Sequence, residues 1–138
     1  MPTNLDLAKV NPDNPYKEYH ERELLEYLAE DVQLTNKGKV QYLNLGVGLL
    51  GYTLSKIENS TYESLLQQQI FSKFGMNNYT TGLGRMEELL VKGLNSDGKE
   101  VSNWKFSVLA GAGAILLQQK TYLCLYYLNL MRPTKNLD

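Results

Sequence analysis

One cysteine and one histidine in 138 residues close off two classes of chemistry at once. A single thiol, Cys124, has no partner for an intrachain disulfide, and inside an apolar run it reads as a small buried hydrophobe that leaves the compartment open. A single imidazole, His20, with no cysteine or second histidine beside it, gives no basis for a metal site, so neither a metal nor a cofactor is expected. Net charge is scarce as well: 14 basic against 15 acidic residues leave −1, with no long run of either sign. The basic footprint that nucleic-acid binding requires is therefore missing, and an anionic membrane surface is an unsuitable partner. The most apolar tract, Val108 to Met131, is broken at its centre by Gln118, Gln119 and Lys120. A lysine at the bilayer centre costs about 3 kcal/mol on insertion scales, so the tract is expected to form a buried helix and no membrane span. The start, Met1-Pro2-Thr3-Asn4-Leu5-Asp6, lacks the basic-then-apolar layout of a secretory signal. No internal repeat or low-complexity segment is present.

What remains is enough chain for one domain with a real core. Residues 1–18, with Pro2, Pro12 and Pro15 among Asn and Asp, read as an irregular lead-in. Leu24, Leu25, Leu28 and Val32 recur at helical spacing and predict an amphipathic helix from Glu21 to Asp31, with Glu21, Arg22, Glu23, Glu26 and Glu30 on its solvated face. Thr35-Asn36-Lys37-Gly38-Lys39 reads as a turn. A second helix, Leu45 to Ile57, is apolar on most of its circumference. Its Gly46, Gly48 and Gly51 each give up about 1 kcal/mol of helix propensity, which calls for a neighbouring backbone at close range. Asn44 is placed to cap that helix.

Ser60-Thr61-Tyr62-Glu63 matches a capping box for a third helix reaching Phe74, where Gly75 suits a left-handed cap and Met76 its apolar contact. Asn95-Ser96-Asp97-Gly98-Lys99-Glu100 is a turn signal between Glu88-Leu89-Leu90-Val91 and Val101, predicting a short hairpin. A last helix is expected from Gly113 to Leu130, ending before Pro133.

Tyr42-Leu43-Asn44 stands just ahead of the glycine-studded helix. This pair resembles the Tyr-x-Asn motif of the serine β-lactamase and penicillin-binding-protein superfamily. The resemblance extends to Asn14-Pro15-Tyr16-Lys17-Glu18-Tyr19, Gln69-Ile70-Phe71-Ser72-Lys73-Phe74-Gly75-Met76, Trp104-Lys105-Phe106 and Leu109 to Ile115. These blocks fall in the order that class C β-lactamases and related esterases show, over roughly residues 5 to 117. It implies a mainly α chain, the helical subdomain of an α/β fold of helices plus antiparallel sheet, with at most a short hairpin here. It also implies that Tyr42 shares in proton transfer to the nucleophile and that Asn44 binds substrate. Gly111-Ala112-Gly113 resembles the family's tight entry to a later helix and not a phosphate cradle. The parent family is expected outside the cytoplasm.

The departures bear on activity. The family's Ser-x-x-Lys upstream of Tyr-x-Asn, and its Lys-Thr-Gly or His-x-Gly strand downstream, are not found in these residues. Without a base beside it a serine hydroxyl is a poor nucleophile, and a phenol serves as base at neutral pH only beside ammonium groups. Two Ser-x-x-Lys matches exist, Ser96–Lys99 and Ser102–Lys105. The first lies in a turn and the second in an extended stretch, both after the Tyr-x-Asn, whereas the nucleophile must open a helix to bring the lysine one turn away on the same face. Leu43 replaces the usual serine, and Leu117, Gln118 and Thr121 stand where the family has a Ser-Thr and an Asp.

The sequence therefore reads as a single partial domain: lead-in 1–18, helical region 19–76 with the Tyr-x-Asn loop, loops and a hairpin over 77–111, helix 112–131 and tail 132–138. Its expected function is that of a fragment of a serine hydrolase acting by acyl transfer on a β-lactam, peptide or ester, inactive alone. Its expected partner is the remainder of that fold or a second copy. The alternative is a non-enzymatic helical interaction module, favoured by the apolar run Tyr122 to Met131.

Overall fold

The computed structural model describes residues 11, 13–30, 38–82 and 84–130. Parts of the expected lead-in and first turn, Asp31, Val32 and the tail lie outside them. Among the described residues the chain is mainly helical with two short antiparallel pairs. Helix α1 spans Glu21–Glu30 and α2 spans Asn44–Ile57. Helix α3, Tyr62–Leu66, runs on through a widened turn at Gln67–Phe71 and a tight one at Ser72–Phe74. Strands β1 (Tyr79–Thr80) and β4 (Leu116–Leu117) pair, as do β2 (Gly93–Leu94) and β3 (Glu100–Val101). Helix α4 covers Gln119–Leu130.

Two small cores follow from this order. Tyr16, Tyr19, Leu24, Leu45 and Leu109 make the first, with Leu28, Leu49 and Phe106 against it. Leu24 is fully buried but its neighbour Leu25 is half-exposed, so the apolar stripe on α1 is narrower than the periodicity implied. Leu66, Phe71 and Met76 make the second, closed by Tyr62, Tyr79 and Leu117.

The glycines of α2 divide by position. A β-carbon at Gly48 would stand 2.7 Å from Leu109 Cδ2, and one at Gly51 would stand 3.0 Å from the Gly111 α-carbon. At Gly111 itself it would come within 2.7 Å of the Val47 carbonyl. Helix α2 and the tight turn Ala110–Ala112 thus meet backbone to backbone at Gly51, and Gly48 makes room for the Leu109 side chain, which accounts for two of the three helix-weakening residues. Gly46 is different: its added carbon would touch only Leu43, at 3.9 Å, and the residue is exposed.

Several expectations are corrected. The cap of α3 is Thr61, whose hydroxyl accepts from the Ser64 amide at 3.1 Å, so the start is one residue later than a Ser60 cap. Gly75 does adopt the left-handed conformation at φ 61°, and the Met76 amide reaches back to the Phe71 carbonyl at 2.9 Å while its side chain is buried. The hairpin lies closer to its turn than Glu88–Val91, because Gly84–Leu89 coils tightly. Asn95 organises that turn, its side-chain oxygen accepting from the amides of Asp97 and Lys99.

The helix expected from Gly113 starts only at Gln119. Residues 116 and 117 pair instead with β1, and the Gln118 amide donates to the Asn78 carbonyl at 3.1 Å. A short apolar run has no periodicity that separates strand from helix, so the partner strand decided it. Nor is α4 a buried helix: Tyr122, Leu123, Tyr126 and Tyr127 are each about half-exposed. Among the described residues no helix is long and apolar enough to cross a membrane.

Candidate functional site

Tyr16 organises the surroundings of the Tyr-x-Asn pair. Its ring is almost fully buried, stacked on Phe106 at 4.7 Å between centroids and tilted against Trp104 at 5.6 Å. Its hydroxyl, which a buried phenol must satisfy, accepts from the Asn44 side-chain amide at 3.0 Å. Two residues earlier, the Asn14 side-chain oxygen accepts from the Lys105 amide at 2.8 Å and its NH2 donates to the Asn103 carbonyl at 3.4 Å. Three segments far apart in the chain, 14–16, 44 and 103–106, are thereby tied together by part-buried polar bonds.

Asn44 is the first residue of α2 and not its cap. The cap position is Leu43, in extended conformation and with no side-chain bond to the helix. The Asn44 side-chain NH2 instead donates to the buried Tyr16 hydroxyl, tying the start of the helix to the core. Tyr42, two residues before, projects outward and is 61% exposed. Leu43 between them is half-buried. The loop therefore presents a phenol to solvent beside an asparagine anchored to the core.

Both Ser-x-x-Lys matches lack helical geometry. Ser96 lies in the hairpin turn, with Gly98 at φ 74°, and Ser102 follows β3 outside any helix. Gly46, Gly48 and Gly51 also spell Gly-x-Gly-x-x-Gly, a spacing associated with dinucleotide phosphates. Here the three lie inside α2, and the described residues just before it form no strand, so the spacing serves packing. Among the described residues no group of three or more His, Cys, Asp or Glu stands ready to hold a metal.

The sequence located Tyr42, Asn44 and the Asn14-Pro15-Tyr16 block, but nothing in it connected Tyr16 to Asn44, 28 residues on, or Asn14 to Lys105, 91 on. Two asparagines and a tyrosine bracketed by aromatics were the only available signal.

The model of the beta-lactamase family matches residues 3–112. Among solved structures, the crystal structure of the beta-lactamase/D-alanine carboxypeptidase from Pseudomonas syringae is similar, with TM-score 0.73 and 18% identity. That alignment covers 97% of this chain but 36% of the other. At such identity the likeness is one of fold. A search of curated proteins found no match.

Proposed function

We propose that this chain, which belongs to the β-lactamase family, forms the helical portion of a serine hydrolase as a single partial domain and contributes the Tyr42–Asn44 edge of its cleft. The observation that carries this is the convergence on Tyr16. Three of the resembling blocks, Asn14–Tyr19, Tyr42–Asn44 and Trp104–Phe106, meet around one buried ring, with Asn44 bonded to it. A chance motif match would have no reason to be tied to the other blocks.

In this reading Tyr42 takes part in proton transfer and Asn44 orients substrate when the rest of the fold supplies the nucleophile and its lysine. The parent reaction is acyl transfer through a serine ester. By themselves these 138 residues offer the phenol no ammonium partner among those described, and neither Ser-x-x-Lys is helical, so the chain is inactive toward β-lactams alone. The solved structure it resembles is nearly three times as long as the matched region, which supports a role as part of a larger unit.

Incubation with a fluorescent penicillin followed by intact mass tests this. No adduct is expected. A stoichiometric adduct on Ser96 or Ser102 contradicts the reading.

A second reading, a helical interaction module, is favoured by one feature, the exposed row Tyr122, Leu123, Tyr126 and Tyr127 on α4. The same row is accounted for if it covers another part of the hydrolase fold, so the first reading is preferred.

A further inference from the structure

Away from Tyr42, a cavity of about 460 Å³ opens between the start of α1, the middle of α2 and the segment 107–111. At its wall Ser107 Oγ lies 2.8 Å from His20 Nδ1. The other ring nitrogen, Nε2, lies 3.7 Å from a carboxylate oxygen of Glu18. That is too long for a hydrogen bond, and it leaves Nε2 able to carry the ring proton. With the proton there, Nδ1 keeps its lone pair and accepts from the serine hydroxyl. Glu18 remains ionised: the neighbouring Lys17 ammonium, and to a smaller extent His20, hold its carboxyl below the usual range.

The pair is held by the backbone and does not meet by side-chain wandering alone. The Ser107 amide donates to the Tyr16 carbonyl and the Val108 amide to the Tyr19 carbonyl, each at 3.4 Å. The stacked Tyr16 and Phe106 rings fix the same two segments next to the pair. Ser107 itself is half-buried. Lys56 lines the same cavity, its ammonium 2.9 Å from Glu21, to which Tyr52 also donates.

From this geometry we infer that Ser107 is a nucleophile activated by His20, and that the cavity accepts small carboxylic esters with good leaving groups. Ser107 Oγ forms a bond to the acyl carbon as its proton passes to His20 Nδ1. The ester C–O bond to the alcohol breaks, and the leaving oxygen takes that proton. Water then adds to the acyl-serine, giving its proton to Nδ1, and the serine oxygen departs with it. Every atom and proton is supplied by ester, water and the two side chains. This site uses neither Tyr42 nor a Ser-x-x-Lys, so it is independent of the β-lactam reading.

The test uses a fluorophosphonate probe with peptide mapping, and p-nitrophenyl acetate for turnover. An adduct on Ser107 is expected, lost in Ser107→Ala and unchanged in Ser96→Ala and Ser102→Ala. His20→Gln is expected to slow labelling about a hundredfold, the low end of what a positioned base contributes. Both side chains are at the surface, so matched melting curves will show that the variants fold. No adduct, an adduct on another serine, or an unchanged rate in His20→Gln overturns the inference. The penicillin experiment reads the family site separately, so either can fail without the other.

Discussion

At the scale of single residues, space decides which glycines are needed. Helix propensity alone makes Gly→Ala in a helix interior favourable by about 1 kcal/mol. At Gly48 the added methyl meets Leu109, a fully buried side chain, at 2.7 Å. Overpacking of that kind costs about 1–3 kcal/mol, so Gly48→Ala is expected to lower stability in urea titration. Gly46→Ala, in open space, is expected to raise it by up to about 1 kcal/mol. Equal effects at the two positions would contradict the close packing of Leu109 against Gly48 of α2. Leu109→Ala removes the other half of that contact and is expected to cost about 2–5 kcal/mol.

At the scale of elements, caps and partner strands set the boundaries. Thr61→Ala is expected to destabilise by about 1 kcal/mol, while Ser60→Ala has a much smaller effect, because only the Thr61 hydroxyl accepts from the start of α3. Thermal melts of the two variants separate them. The elements legible in the sequence were those with a long period or a strong local signal. These were α1 and α2, whose ends matched within a residue where described, the Gly75 cap, and the Asn95–Gly98 turn. The illegible ones depended on remote partners. Leu116 and Leu117 became a strand only because Tyr79 and Thr80 lie alongside. Asn44 stands inside the first turn of α2, and its bond to Tyr16, 28 residues earlier, has no local signal. The candidate site follows the same division: Tyr42 and Asn44 could be read as a motif, whereas the 87-residue separation between His20 and Ser107 left no trace in local sequence.

At the scale of the whole molecule, the two cores are small and much apolar surface stays outside them. Leu50, Leu54 and Ile57 on α2, and Tyr122, Leu123, Tyr126 and Tyr127 on α4, are all exposed; the Leu130 side chain, expected on the same face, lies outside the described residues. Contiguous exposed apolar patches of more than a few hundred Å² are uncommon on soluble monomers and mark surfaces that pack against something. In our account that something is the remainder of the hydrolase fold, and in its absence a second copy of the chain. The measurement that tests this most directly is sedimentation of the purified chain at micromolar concentration, alongside a Tyr126→Asp, Tyr127→Asp variant. Dimers or larger species that shift toward monomer in the variant are expected. A monodisperse, cooperatively melting monomer of the unaltered chain would show that these residues close their own core, and would contradict the reading of the chain as part of a larger fold.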